Sequence, residues 1–201
     1  MLIVLEGIDG CGKSTQATRL ADRLRERSIE PLLLREPGGT ALGEQLRALL
    51  LDPATHAGAE AELLLYQAAR AQLVREVLLP RLHEGRWILL DRFWPSTVAY
   101  QAYGLGLDEA QVRAAIAIAV GPLVPELALW FRLDAAEAAR RRAQARGLPP
   151  DRIEQRGLDY LSRVDAGYAA MAANGELIAI NSAQPADAVA DEVWRLVQPL
   201  L

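Results

Sequence analysis

The feature that most constrains this chain is a glycine-rich stretch that directly follows a short apolar run near its beginning. The run is LIVLE at residues 2–6, and GIDGCGKST follows at residues 7–15. The spacing satisfies G-x-x-x-x-G-K-[ST], a pattern in which a strand leads through a loop into a helix. In such a loop, backbone N–H groups surround phosphate oxygens, and the helix N-terminus adds partial positive charge. The stretch predicts a phosphate-binding loop made of Gly7, Ile8, Asp9, Gly10, Cys11, Gly12, Lys13, Ser14 and Thr15.

Lys13 is the only lysine among the 22 lysines and arginines of the chain. Lysine is a compact charge on a flexible stem that reaches between the β- and γ-phosphates, where the planar fork of arginine does not fit. The neighbouring Ser14 supplies a hydroxyl for Mg²⁺. The alternative is a chance match in an ordinary strand–helix turn, but motif, context and the single lysine all agree on a nucleotide site.

Composition narrows the class of protein further. The chain has 201 residues, 51% of them hydrophobic, which suffices for one well-filled core. A formal charge of −4 disfavours a general nucleic-acid or membrane-surface binder. The N-terminal MLIVLEG has no basic leader, and the single Cys11 excludes an internal disulfide. We therefore expect a cytoplasmic protein with no nucleic-acid partner and no membrane partner.

Short apolar runs alternate with longer helical patterns, which is typical of a parallel sheet covered by helices. Strands are predicted at Leu2–Leu5, Leu32–Leu34, Trp87–Asp91, Leu127–Leu133 and Leu177–Ile180. Helices are predicted at Lys13–Arg27, Leu42–Leu51, Ala59–His83, Ser96–Tyr103, Asp108–Val120, Ala135–Arg146, Ile153–Ala173 and Ala186–Val197. The expected fold is a single three-layer α/β domain over residues 1–201, with a five-stranded parallel sheet. Ligands should bind beyond the C-terminal ends of the strands.

The class of nucleotide-binding protein can be narrowed from the residues alone. A GTP-binding switch would need an Asn-Lys-x-Asp motif, which a chain with only Lys13 cannot contain, and a mechanical ATPase would usually be larger. A small kinase remains. Asp91 ends an apolar strand and Arg92 follows it; a carboxylate there suits Mg²⁺, and a guanidinium can clamp a phosphate with two hydrogen bonds. The alternative for this pair is a surface ion pair.

Several motifs together resemble the thymidylate kinases. EGIDGCGKSTQ, REPGGT, LRALLLD, AAR, DRFWPSTVAYQ and DRIE occur in the order and approximate spacing seen in that family. The resemblance implies the P-loop nucleoside monophosphate kinase fold and transfer of the ATP γ-phosphate to dTMP, with Mg²⁺, to give dTDP for dTTP synthesis. It also implies a homodimer formed by long helices such as Ala59–His83. The alternatives are a kinase for another (deoxy)nucleoside monophosphate and a catalytically silent ATP-binding regulator.

The resemblance also implies which residues bind the acceptor. Arg47 and Arg92 match acceptor-phosphate arginines, although Arg47 taken alone resembles any solvated helix arginine. Tyr66 and Arg70 are four residues apart and share a helix face, where they suit stacking on a pyrimidine and bonding to its edge; the alternative for Tyr66 is a core aromatic. The full set of acceptor-binding residues implied is Asp9, Pro37, Arg47, Tyr66, Arg70, Arg92, Ser96, Thr97, Tyr100 and Gln101.

The donor side is expected to include a mobile lid around residues 142–153, where GLPPD interrupts two helical patterns. No variable position of the phosphate-binding loop is basic, so the resemblance is to the bacterial type of the family, in which the lid supplies the catalytic arginine. Arg146 is the best match for that role, and Arg142 and Arg152 are expected to bind ATP. Arginines at a helix C-terminus also complement the helix dipole, which is the alternative. The expected catalytic set is Asp9, Lys13, Asp91, Arg92 and Arg146, with Ser14 and Asp91 as metal ligands.

Replacing the single lysine tests the loop assignment. We expect Lys13→Ala to leave the fold intact and to lower kcat by at least about 100-fold, because a charge that stabilises the transferring phosphate is lost. An ADP-release assay measures the turnover, and circular dichroism with thermal unfolding checks the fold. Near-wild-type turnover in a folded variant would refute the assignment.

Overall fold

The structure, a computed structural model, describes residues 1–146 and 151–201, with their side chains except those of residues 145, 146 and 154. Its sheet has five parallel strands in the order β2-β3-β1-β4-β5. The predicted α/β fold with a five-stranded parallel sheet is confirmed. The strands are β1 (Leu2–Glu6), β2 (Leu32–Arg35), β3 (Ile88–Asp91), β4 (Leu127–Arg132) and β5 (Ile178–Asn181).

The central strand β1 is buried at every position, so helices cover both faces of the sheet there. The edge strands β2 and β5 are only partly buried, as expected of strands with one neighbour. Because β3 and β4 flank β1, the loop that follows β1 opens beside the C-terminal ends of both neighbours. In an open parallel sheet this is the place where ligands bind.

The helices lie close to their predicted positions. They are α1 (Lys13–Arg25), α2 (Ala41–Leu51), α3 (Ala59–Leu73), α4 (Leu79–His83), α5 (Trp94–Thr97), α6 (Glu109–Val120), α7 (Ala135–Arg146), α8 (Leu158–Ala173) and α9 (Ala186–Val197). A π-helical segment, Val74–Leu78, joins α3 to α4, and a second, Val98–Gly104, continues α5. Short 3₁₀ turns occur at Glu154–Arg156 and Gln198–Leu200. Within the described ranges, no helix has both the length and the apolar character needed to cross a membrane.

Besides the predicted helix Ala59–His83, which contains the π-helical segment Val74–Leu78, two helices differ from their sequence-based predictions. The predicted helix Ile153–Ala173 is divided, because Gly157 has a φ of 83° that no α-helix accommodates, and α8 begins only after it. The predicted helix Ser96–Tyr103 begins two residues earlier, with Pro95 in its first turn, where a missing N–H is harmless. It then widens into the π-helical segment Val98–Gly104, a geometry that apolar periodicity does not reveal.

Two glycines allow α8 to pack closely on the segment Val98–Gly104. A Cβ atom on Gly167 of α8 would lie 3.0 Å from Cα of Ala99 and 2.9 Å from Cγ of Tyr103. A Cβ atom on Gly104 would lie 2.7 Å from the ring of Tyr160. At both positions the neighbouring atoms lie too close to the glycine backbone to leave room for a side chain. This contact holds in place the segment that carries Tyr100 and Gln101.

Gly167→Ala tests this close contact. Helix propensity alone favours alanine by about 1 kcal/mol, but the added methyl group has to displace Ala99 and Tyr103. We expect the cost of overpacking to exceed the gain in helix propensity, with a net loss of about 1–3 kcal/mol in the free energy of unfolding measured by urea denaturation. The exposed neighbour provides the control, since Ala166→Gly should cost only the propensity difference of about 1 kcal/mol. A Gly167→Ala protein more stable than wild type would contradict the packing argument.

Candidate active site

The loop between β1 and α1 is shaped by glycines in left-handed conformations. Gly7, Gly10 and Gly12 have φ values of 134°, 90° and 98°. A Cβ atom on Gly10 would lie 2.2 Å from the carbonyl oxygen of Ala138 in α7, so this position admits only glycine. Helix α1 begins with no side-chain cap and no acidic residue in its first turn. Its first N–H groups are therefore available to an anion.

Lys13 is buried and its side chain curls back over the loop. Its Nζ donates hydrogen bonds to the carbonyl oxygens of Gly7 at 2.8 Å and Ile8 at 3.2 Å. The same nitrogen lies 3.8 Å from a carboxylate oxygen of Asp9. These contacts hold the ammonium group at the mouth of the loop, where the donor phosphates are predicted to bind.

Ser14 and Asp91 come together although they are far apart in the sequence. Strand register pairs Leu5 with Asp91, so β3 ends beside the loop. Ser14 Oγ donates a hydrogen bond to Asp91 Oδ2 at 3.1 Å. A hydroxyl and a carboxylate oxygen next to a phosphate-binding loop are the protein ligands that suit Mg²⁺ in phosphoryl transfer.

Arg92 reaches the site from an unusual backbone conformation. Its φ of 73° lies in the left-handed region, which an arginine rarely adopts. Its Nη2 donates to Asp9 Oδ1 at 2.9 Å and to the Tyr100 hydroxyl at 3.3 Å, and its Nη1 donates to Ser96 Oγ at 3.1 Å. Burial disfavours the charge, but the oxygens of Tyr100 and Asp9 more than offset it and raise the pKa of Arg92. The guanidinium is a fixed cation between the phosphate-binding loop and the residues that are predicted to bind the acceptor.

Glu6 supports this arrangement and was missed from the sequence. It is fully buried at the end of β1, where it accepts hydrogen bonds from Phe93 N at 2.7 Å, Ser96 Oγ at 2.6 Å and the Tyr168 hydroxyl at 2.9 Å. The bond to Phe93 N fixes the chain directly after Arg92. The one available signal was an acidic residue ending an otherwise apolar strand, because a buried charge needs strong partners.

All ten residues predicted to bind the acceptor line one cavity. Their prediction as ligands for dTMP stays a prediction, but the structure does bring them together from five different parts of the chain. Arg47 Nη1 donates to the carbonyl oxygen of Pro37 at 3.0 Å, which anchors it at the cavity wall. The cavity is also lined by Glu36, Leu51, Asp151 and Ile153, which the sequence analysis did not single out.

Arg70 is almost completely buried in this wall, and each of its N–H groups is used within the protein. Nε and Nη2 contact Glu36 Oε2 at 2.8 and 2.7 Å. Nη2 also donates to the Phe93 carbonyl oxygen at 2.9 Å, and Nη1 donates to Gln67 Oε1 at 2.9 Å and Thr97 Oγ1 at 2.7 Å. Burial raises the pKa of Glu36 to about 7 despite this guanidinium. Arg70 thus holds Glu36 and Thr97 in place, and both of these residues line the cavity.

Aromatic side chains form a second wall. Tyr100 makes edge contacts with Tyr160 and Tyr168 at centroid distances of 6.2 and 6.4 Å, and Arg92 lies 5.1 Å above its ring. Burial raises the pKa values of Tyr66 and Tyr100 well above their ordinary range, so both hydroxyls stay protonated. A ring held from three sides cannot swing aside to admit a bulkier ligand.

A second, larger cavity of about 780 Å³ lies on the other side of the loop. Residues 9–15 line it, whereas Gly7 and Ile8 lie beneath them and accept the hydrogen bonds of Lys13. Residues 182–186, within the sequence NSAQP and just after it, form the opposite wall, and Arg141 donates to the carbonyl oxygen of Ser182 at 3.0 Å. Asp9 lines both cavities, so the two spaces meet at that residue.

The arginines predicted for the lid separate in space. Arg142 lines the larger cavity, as an ATP-binding residue would. Arg152 lies on the acceptor side, where its Nε donates to the Leu50 carbonyl oxygen at 2.7 Å and its Nη2 lies 2.7 Å from Glu62. The side chain of Arg146 and residues 147–150 lie outside the described residues, so the lid assignment stays a prediction.

Comparison with known proteins agrees with this geometry. A model of the thymidylate kinase family matches residues 5–193. A thymidylate kinase of Gloeobacter violaceus is 43% identical over 203 residues, covering 100% of this chain and 96% of that protein. One of Prochlorococcus marinus strain MIT 9303 is 46% identical over 195 residues, covering 94% and 89%. The crystal structure of thymidylate kinase from Ehrlichia chaffeensis superposes with a TM-score of 0.76 at 29% identity over 98% of each chain. The chain belongs to the thymidylate kinase family.

Proposed function

We propose that this protein transfers the γ-phosphoryl group of ATP to dTMP and releases ADP and dTDP. The observation that carries the proposal is the meeting of two cavities at Asp9. One contains the phosphate-binding loop with Lys13, and the other is lined by all ten residues predicted to bind the acceptor. Two nucleotides bound in these spaces would point their phosphates at each other. In-line transfer requires that arrangement.

The chemistry needs positioning and charge neutralisation more than a base. An acceptor phosphate is already ionised, so no proton has to be removed before it attacks. Arg92 and Arg47 hold that phosphate, while Lys13 and the loop amides hold the donor phosphates. Fixed cations on both sides offset the repulsion between two anions, and prearranged charges cost no reorganisation during the reaction. Asp9 orients Arg92 through their 2.9 Å contact.

Mg²⁺ is the proposed metal, and Ser14 with Asp91 would hold it. The two oxygen ligands lie 3.1 Å apart at the loop. Among the described residues, no three His, Cys, Asp or Glu side chains cluster as a protein-only metal site would require. Mg²⁺ typically binds one or two protein oxygens together with substrate phosphates and water, so a sparse site fits. When bound, the ion would supply further neutralisation of phosphate charge.

The acceptor cavity suits a deoxyribonucleotide with a pyrimidine base. Tyr66 offers a ring face for stacking, and Thr97 with Gln101 offers polar groups for the base edge. Tyr100 is braced by two other tyrosines and stands where a bulky ring would crowd a 2′-hydroxyl. We assign the selectivity for a small planar base and a 2′-deoxy sugar to these residues.

Residues 1–201 form a single domain in this proposal, with a lid around residues 142–153 that closes over ATP. Arg146 delivers the catalytic guanidinium, and Arg142 contacts ATP from the wall that it lines. The proposed location is cytoplasmic, which is consistent with a chain whose one cysteine, Cys11, is buried and unpaired.

A substrate panel tests the function. We expect ADP release with dTMP at a kcat/KM at least about 100-fold above UMP, CMP and AMP, with dUMP the nearest competitor because it lacks only a methyl group. EDTA should abolish the activity, and excess Mg²⁺ should restore it. Preference for another monophosphate would favour the alternative kinase, and ATP binding without acceptor-dependent ADP release would favour a silent regulator.

The chain is further proposed to form a homodimer through α2, α3 and α6. These helices pack side by side, α2 on α3 and α3 on α6. Large apolar side chains on them remain exposed, namely Leu42, Leu49, Leu64 and Ile118. Burying such side chains between two copies would remove apolar area from water, which favours association.

Light scattering tests the dimer. The wild type should have twice the chain mass of 21.9 kDa, and Leu64→Arg should shift it toward the monomer. Leu158→Arg provides the matched control, since Leu158 is also exposed but lies on α8. A monomeric wild type, or equal effects of both variants, would argue against this interface.

A further inference from the structure

Glu62 is a buried carboxylate one helical turn before Tyr66, and neither the loop chemistry nor the phosphate contacts use it. Its side chain is 0% exposed on α3. It contacts Gln101 of the acceptor cavity and two arginines that follow the residues left undescribed, Arg152 and Arg156. Removing a carboxylate from water costs free energy, so we expect Glu62 to have a role beyond the stability of α3.

Two guanidinium groups keep Glu62 ionised. Arg156 donates from Nη1 to Oε1 at 3.1 Å and from Nη2 to Oε2 at 2.5 Å, and Arg152 Nη2 lies 2.7 Å from Oε2. Burial alone would raise the pKa of Glu62, but these contacts and the hydrogen bond from Gln101 lower it below the ordinary value. An ionised carboxylate is an acceptor only.

This acceptor determines which way the amide of Gln101 points. Gln101 Nε2 donates to Glu62 Oε1 at 3.0 Å. The reverse orientation would set an amide oxygen against a carboxylate oxygen, which is repulsive. Gln101 lines the acceptor cavity, and in the described part of the chain its Oε1 accepts no hydrogen bond and is not sealed from solvent. The side chain therefore presents an acceptor to a ligand in the cavity.

Thr97, which also lines the cavity, presents a hydrogen-bond donor where Gln101 presents an acceptor. Thr97 Oγ1 accepts hydrogen bonds from Arg70 Nη1 at 2.7 Å and from Gln67 Nε2 at 3.2 Å. With both lone pairs engaged, the hydroxyl proton is left to donate into the cavity that Thr97 also lines. The cavity wall thus offers one donor, Thr97, and one acceptor, Gln101.

We propose that Glu62 is a positioning residue that makes the acceptor site selective for thymine and uracil over cytosine, by fixing the amide of Gln101. Thymine and uracil carry an N3–H donor beside the O4 acceptor, which complements an acceptor next to a donor. Cytosine carries a bare N3 beside a 4-amino group, so both of its groups meet the wrong partner. Leaving a polar group unpaired in a buried site is costly, which makes it an effective basis for discrimination. The inference rests on the proposed function and adds the source of its base selectivity.

Glu62→Gln is the direct test, because it replaces one carboxylate oxygen with an amide donor. The new oxygen should stay at the Oε2 position, where two guanidinium nitrogens lie at 2.5 and 2.7 Å. The new nitrogen then takes the Oε1 position, where it faces Gln101 Nε2 at 3.0 Å and Arg156 Nη1 at 3.1 Å, and the amide of Gln101 turns over to present a donor to the cavity. We expect kcat/KM for dTMP to fall about 10- to 100-fold and the ratio of dCMP to dTMP efficiency to rise by at least that factor.

Arg156→Gln is the matched control. It removes one cation from the same cluster but leaves the carboxylate of Glu62 and its hydrogen bond from Gln101. We expect a lower melting temperature and a dCMP to dTMP ratio within about 3-fold of wild type, which separates selectivity from stability. A fall in the use of both substrates by the same factor in Glu62→Gln would overturn the proposal, because a purely structural role predicts that result.

Gln101→Leu tests the role of the amide without changing Glu62. The variant has no amide to orient, so we expect the dTMP preference to fall at least about 10-fold, with no further change when Glu62→Gln is added. An unchanged preference in Gln101→Leu would overturn the proposal. A wild-type protein inactive on dTMP would instead refute the proposed function, so the two failures are distinguishable.

Discussion

The turn that carries Arg92 depends on one buried carboxylate, Glu6, at the end of the central strand. A charge without solvent is strongly destabilising unless it is hydrogen-bonded, and Glu6 accepts from Phe93 N, Ser96 Oγ and the Tyr168 hydroxyl. These partners come from two distant parts of the chain. The carboxylate therefore joins β1, the turn after β3 and α8 at one point. Arg92 lies within that turn, and its rare backbone conformation persists because the residues after it are fixed.

The same carboxylate also sets the direction of neighbouring hydroxyl groups. Ser96 Oγ donates to Glu6, so its remaining lone pairs face the guanidinium of Arg92 at 3.1 Å. Glu62 likewise accepts a hydrogen bond from Gln101, which lines the same cavity as Ser96. In both places a buried carboxylate orients a polar side chain that lines the cavity. The buried carboxylates thus determine whether these cavity-lining groups present a hydrogen-bond donor or an acceptor.

The sequence revealed those parts of the site whose pattern is local. The loop, with Lys13 and Ser14, is a continuous motif, and Asp91 ends an apolar strand, so both were predictable without a fold. The acceptor cavity was predictable because six motifs occur in a family order, and the structure gathers their residues around one space. The boundary at Gly157 and the π-helical segment Val98–Gly104 were not, since hydrophobic periodicity does not report a positive φ or a wider helical turn.

The buried carboxylates escaped prediction for a different reason. Glu62 lies 94 residues from Arg156, and nothing near either residue indicates the pairing. The pairing ties the chain that follows α7 to the acceptor cavity, where Asp151 and Ile153 also line the wall. Before that point, Arg141 and Arg142 line the larger cavity beside the loop. The described residues on the two sides of positions 147–150 therefore line different cavities, Arg142 on one side and Asp151 on the other.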